Sequence, residues 1–141
     1  MSARRPVVLF VCVHNAGRSQ MAAAWMRHLG GGRVDVRSAG SAPGERVHPQ
    51  VLEALREVGL VPAGGPRRIG DDDLAAADVV VTMGCGEACV ARAGARREDW
   101  VLADPKGLDL AGTRAVRDEV RAHVERLLAS LGIPAQDGPR A

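Results

Sequence analysis

A run of apolar, mostly β-branched residues, Val7–Val11, breaks without a spacer into the polar loop Cys12–Ser19 (CVHNAGRS) and then into a helical pattern. A continuous apolar run of that length reads as a strand covered on both faces, the kind found in parallel sheets. The loop sets five residues between Cys12 and Arg18, with Ser19 directly after. Backbone N–H groups of a loop entering a helix N-terminus converge on one point, where the positive end of the helix dipole also acts. Arg18 can fork onto two oxygens of an anion held there. The field that holds an anion also favours a thiolate, so Cys12 is expected to be an activated nucleophile. Asn15 and Gly17 stand where the backbone must bend, and Ser19 can hydrogen-bond the sulfur. The expected oxyanion-binding set is Val13, His14, Asn15, Ala16, Gly17, Arg18 and Ser19. The competing reading makes Cys12 a small buried hydrophobe and Arg18 a solvated helix cap. The loop matches neither a Walker-A nor a G-x-G-x-x-G pattern.

The rest of the chain alternates strand and helix patterns. Gln20–Leu29 reads as a helix with Met21, Ala24, Trp25 and His28 on one side, ended by Gly30-Gly31-Gly32. Arg33–Arg37 reads as a second strand, closed by a turn-rich stretch from Ser38 to Gly44. His48-Pro49 opens a helix whose stripe is Val51, Leu52, Leu55 and Val58, stopped by Gly59. Val61–Gly70 reads as a loop, and Asp71-Asp72-Asp73 as the solvated start of a short helix through Ala77. Asp78–Met83 is another buried strand, Gly84–Arg97 is irregular or partly helical, and Glu98–Ala103 holds the last strand. Thr113 is expected to cap a long helix striped by Val116, Val120, Val124, Leu127, Leu128 and Leu131. Such alternation predicts an α/β fold, a parallel sheet with helices on both faces, with the Cys12 loop at the carboxyl end of the strands. One domain over residues 1–135 and a disordered tail over 136–141 are expected.

Composition narrows the function classes. A net charge of +2 in 141 residues, with Phe10, Trp25 and Trp100 the only Phe, Trp or Tyr side chains, gives no nucleic-acid footprint. No stretch is long and apolar enough to span a bilayer, and the N-terminal basic and apolar residues lack a cleavage site, so a cytoplasmic protein is expected. Three cysteines, Cys12, Cys85 and Cys89, then point to reactive thiols rather than a disulfide framework.

Taken together, residues 7–19, Ser38-Ala39-Gly40, the D-V-V-V-T of Asp78–Thr82, W-x-x-x-D-P at Trp100–Pro105 and V-R-D-E at Val116–Glu119 resemble the low-molecular-weight protein tyrosine phosphatase superfamily. The fuller match is to its arsenate reductase branch. The resemblance implies a doubly wound four-stranded parallel sheet in the flavodoxin-like order 2-1-3-4. It also implies Cys12 as nucleophile, Arg18 with the loop as oxyanion grip, and Asp104 as general acid. Asp104 has its own case, since a carboxyl kept protonated beside a bound oxyanion can give its proton to a leaving oxygen. An Asp-Pro turn residue is the plainer reading of the same dipeptide.

The resemblance to the reductase branch implies that Cys85 attacks Cys12 and Cys89 then attacks Cys85, carrying the disulfide outward to thioredoxin or a glutaredoxin-like thiol partner. No bound cofactor and a monomer are expected, with arsenate as substrate. A Cys–x3–Cys pair in an intact helix sits about 5–6 Å apart at Cβ, beyond disulfide reach, so this segment must rearrange; Gly84 and Gly86 flank Cys85. A metal site at Cys85 and Cys89 lacks the four ligands a closed site needs, and two inert thiols are the remaining reading. With one reactive thiol and no pair, a phosphatase using Cys12, Arg18 and Asp104 is the alternative; a non-catalytic oxyanion-binding module is the third.

Several positions depart from the family. Gly17 stands where relatives often carry a second cysteine. Arg67-Arg68 replaces a Ser-Asp pair that helps some reductases bind potassium, so an arginine is expected to stabilise that region instead. No tyrosine follows Asp104-Pro105. His14 is assigned a minor structural role, and His28, His48 and His123 are assigned to helices or their caps.

Overall fold

In a computed structural model describing residues 5–84 and 94–136, four strands form one sheet: β1 (Val7–Cys12), β2 (Asp35–Gly40), β3 (Val79–Met83) and β4 (Arg96–Asp99). Four α-helices connect and cover them: α1 (Arg18–Gly30), α2 (Pro49–Glu57), α3 (Asp71–Ala76) and α4 (Leu110–Ser130). The strand order is β2-β1-β3-β4 and every pairing is parallel. Cys85 and Cys89 lie outside the described residues, as do residues 137–141 of the expected tail. Gln136 is held to the body by its N–H on Leu29 O at 2.7 Å.

All six residues of β1 are buried because the strand is central, paired to β2 on one side and β3 on the other. Successive side chains leave opposite faces of a strand, and β1 feeds two cores accordingly. Val8, Phe10 and Cys12 join Val79, Val81 and Met83 under α1, α2 and α4, against Met21, Trp25, Val51, Leu55, Val120, Val124 and Leu128. Leu9 and Val11 join Val80, Ala39 and Ala77 on the other face, where Ile69 and Leu74 pack. Complete burial of one such side chain contributes about 1.5–3 kcal/mol. The chain winds one way from β1 to β2 and the other way to β3, so the loops after β1 and β3 part at the sheet's switch point and leave a crevice.

Several boundaries differ from those expected. β2 is Asp35–Gly40, not Arg33–Arg37: Ser38, Ala39 and Gly40 pair with Phe10, Val11 and Cys12 rather than turning. α1 begins two residues early, at Arg18, and is buried nearly all round rather than along one stripe. Leu52 is 43% exposed, its place in the core face of α2 taken by Ala54. β4 is the charged run Arg96–Asp99 instead of Glu98–Ala103, because those residues pair with Val79–Thr82; beyond them Val101 is 91% exposed. α4 is capped by Asp109, whose carboxylate accepts the Gly112 N–H at 2.8 Å; Thr113 is inside the helix, its hydroxyl on Asp109 O. Asp73, expected in a solvated run, is 6% exposed.

Candidate active site

Cys12 ends β1, and its sulfur is 2.8 Å from the Ser19 hydroxyl on the first turn of α1. Between them the chain turns around a small circle through Asn15, which takes a left-handed φ of 51°. The loop carbonyls face outward. Val13 O accepts from Ala42 N–H, His14 O from Gly44 N–H, Asn15 O from Gln20 Nε2, Ala16 O from His48 N–H and Gly17 O from Met21 N–H, all at 2.8–3.0 Å. A trans peptide turns each following N–H away from its carbonyl, so the amides of residues 14–18 face away from these outward bonds. Amides at the start of a helix are the donors that suit a tetrahedral oxyanion.

Arg18 begins α1 and its side chain is 13% exposed. Its guanidinium donates to Leu102 O at 3.2 Å and lies 3.5 Å from the Asp104 carboxylate. The end of β3 closes on the same group: at Gly84, with φ +85°, a Cβ would stand 3.0 Å from Arg18 Nη1. Gly84, Thr82, Asp99, Trp100, Val101 and Leu102 line a cavity of about 300 Å³ with Arg18.

Asp104 is brought to the loop from the far end of the chain. Its carboxylate accepts the Lys106 N–H at 3.0 Å, and Pro105 O accepts from Gln50 Nε2 on α2 at 2.9 Å. Pro105 packs directly on Gly17, where a Cβ would meet its Cγ at 2.7 Å. A side chain at position 17 would therefore require Pro105 to move.

Cys12 and Ser19 form one contact and Arg18 and Asp104 another, and the packing of Pro105 on Gly17 joins the acid's segment to the loop between Cys12 and Arg18. Cys85 and Cys89 lie outside the described residues; Met83 pairs with Cys12 in the β1–β3 ladder. Among the described residues no group of His, Cys, Asp and Glu is arranged to hold a metal ion, and no helix is long and apolar enough to cross a membrane. His48 caps α2 against the loop through its backbone.

Sequence reading missed three supports. Asn15 Nδ2 donates to Ser19 Oγ at 2.7 Å, Gln20 Nε2 holds Asn15 O, and Arg67 forms a two-point pair with Asp73 at 2.8 and 2.9 Å. That pair, aided by the Gly70 N–H, holds the Asp73 carboxyl below its usual range. An arginine does stabilise this region, as expected, but nothing in the spacing of Arg67 and Asp73 announced their contact.

The model of the family described as low molecular weight phosphotyrosine protein phosphatase matches residues 7–136. The chain belongs to that family. A glutaredoxin arsenate reductase of Synechocystis is 37% identical over 131 residues, 88% of this chain and 97% of that protein. Arsenate reductase 1 of Staphylococcus epidermidis is 34% identical over 127 residues, 86% and 95% of the two chains. The solved structure of a Corynebacterium glutamicum thioredoxin-dependent arsenate reductase superposes with a TM-score of 0.82 at 40% identity. That match covers 94% of this chain, which spans 64% of the Corynebacterium chain.

Proposed function

We propose that this family member is an arsenate reductase in which Cys12 attacks arsenic and Cys85 and Cys89 supply the electrons. The observation that carries the first step is the Cys12–Ser19 contact of 2.8 Å at the base of a loop whose carbonyls all face away from it. A hydroxyl donated to sulfur stabilises the thiolate through a charge-assisted bond. Arsenate sits on the inward amides with Arg18 forked onto two oxygens, which leaves the Asp104 carboxyl beside an outer oxygen. Cys12 Sγ forms the As–S bond, and the departing hydroxide takes the Asp104 proton and leaves as water.

Reduction requires a second sulfur. Cys85 thiolate attacks Cys12 Sγ; an S–S bond forms, the As–S bond breaks, and its electron pair stays on arsenic, now arsenite. Cys89 attacks Cys85, which frees Cys12 and leaves a Cys85–Cys89 disulfide for a thioredoxin-type dithiol to reduce. Two thiols are oxidised for one two-electron reduction, so the step balances without a bound cofactor. Cys85 directly follows Gly84 in the sequence. Glutaredoxin, named in the Synechocystis relative, is the alternative electron donor.

The test is a single turnover. Reduced protein mixed with excess arsenate and no external reductant should release one arsenite per chain and lose two thiols, with Cys12→Ser inert. Arsenite release unaffected by Cys85→Ser would exclude the relay. A phosphatase remains the second reading, because Cys12, Arg18 and Asp104 alone suffice for phosphoryl transfer through a phosphocysteine that water resolves. That reading leaves Cys85 and Cys89 without a task.

A further inference from the structure

Asn15 is the single non-glycine residue of positive φ among the described residues, and it is fully buried. Both ends of its carboxamide are hydrogen-bonded. Oδ1 accepts the backbone N–H of Arg67 at 3.1 Å and Gln20 Nε2 at 3.4 Å, while Nδ2 donates to Ser19 Oγ at 2.7 Å. A backbone N–H can only donate, so it fixes which end of the amide faces which neighbour. With Nδ2 aimed at Ser19, the Ser19 oxygen accepts there, and its own proton is left for Cys12 Sγ at 2.8 Å.

The orientation of the hydroxyl on the nucleophile thus depends on where the Arg67 N–H is held. Arg67 O accepts the Gly40 N–H at 2.9 Å, tying that segment to β2, and its guanidinium is forked onto Asp73. Asp73 also accepts the Gly70 N–H at 2.9 Å and lies 3.6 Å from Arg37. A buried carboxylate with this many donors is a rigid anchor. We propose that the Arg67–Asp73 ion pair is a positioning device for the nucleophile: it holds the Arg67 N–H on Asn15, and through Asn15 and Ser19 it keeps a hydroxyl proton on the Cys12 sulfur. This deepens the reading of Cys12 as the nucleophile and does not depend on arsenate being the substrate.

The test reads the sulfur itself. In full-length protein carrying Cys85→Ser and Cys89→Ser, the rate of Cys12 alkylation by iodoacetamide is followed against pH by mass spectrometry of the Cys12 peptide. The parent, Asp73→Asn, Ser19→Ala and the double variant are compared. His14 in the loop, Arg18 on α1, His48 before α2 and Asp104 are unchanged in all four. Losing the hydroxyl bond in Ser19→Ala should raise the alkylation midpoint by roughly one pH unit, and Asp73→Asn by roughly half a unit. The double variant should match Ser19→Ala alone. Arg67→Ala, which removes the pair but keeps the backbone donor, should behave as Asp73→Asn and serves in its place if that variant does not fold. An unchanged midpoint in Asp73→Asn, or an equal further rise on top of Ser19→Ala, would overturn the proposal. A parent midpoint at the ordinary thiol value of about 8.5 would instead overturn the activated-nucleophile reading on which the proposal rests.

Discussion

The Arg18 guanidinium lies 3.5 Å from the Asp104 carboxylate, so the proposed anion grip and the proposed acid form an ion pair with each other. Binding an oxyanion must break or share this pair. Asp104→Asn frees Arg18 for the anion while removing the acid. Inorganic phosphate, measured by titration calorimetry, should bind at least as tightly as to the parent, while turnover falls by about 10²–10⁴-fold, the range for loss of a general acid. Weakened phosphate binding with turnover intact would remove Asp104 from the chemistry.

Pro105 sits where a Cβ on Gly17 would have to go, at 2.7 Å. Gly17→Ala should therefore push the acid loop away without touching Cys12 or Arg18. Turnover is expected to drop about tenfold or more, because a displacement near 1 Å is costly to catalysis, while phosphate affinity stays within about threefold. A steady-state comparison with a phosphate titration separates the two effects.

Glu57 on α2 accepts hydrogen bonds from Arg114 and Arg117 on α4. These bonds, Arg114's foremost, hold its carboxyl down from 4.5 to about 2. A carboxylate whose pKa is lower in the folded than in the unfolded chain stabilises the fold above its ordinary value, and that contribution disappears as pH falls towards the lowered one. The melting temperature of the parent should fall between pH 5 and pH 2 more steeply than that of Glu57→Gln, with the two curves meeting at the acid end. Parallel curves would show that the pair contributes nothing to stability.

What the sequence displayed and what it hid divide along range. Val7–Val11 announced itself by composition, and the loop to Ser19 by residue types that a strand-to-helix anion site requires; the structure brings Cys12 onto Ser19 and Arg18 beside Asp104. β2 was misjudged because Ser38-Ala39-Gly40 has turn chemistry; pairing with Phe10–Cys12 and with Arg67 and Ile69 overrides it. β4 was misplaced because Arg96–Asp99 reads as a surface loop, and only the edge of β3 makes it a strand. Asp109 and Thr113 are both good capping residues four apart, and the geometry of the turn gives Asp109 the role. Asp73 looked solvated because its partner Arg67 approaches through a fold that no local pattern encodes.

Whether Cys12 serves a reductase rather than a hydrolase is decided by one assay with two substrates. The full-length protein is supplied with thioredoxin, thioredoxin reductase and NADPH, and with either arsenate or a phenyl phosphate. A reductase should show arsenate-dependent NADPH oxidation over many turnovers, abolished by Cys12→Ser and reduced to at most one turnover by Cys85→Ser or Cys89→Ser. Brisk hydrolysis of the phenyl phosphate with no response to arsenate would contradict the reductase reading.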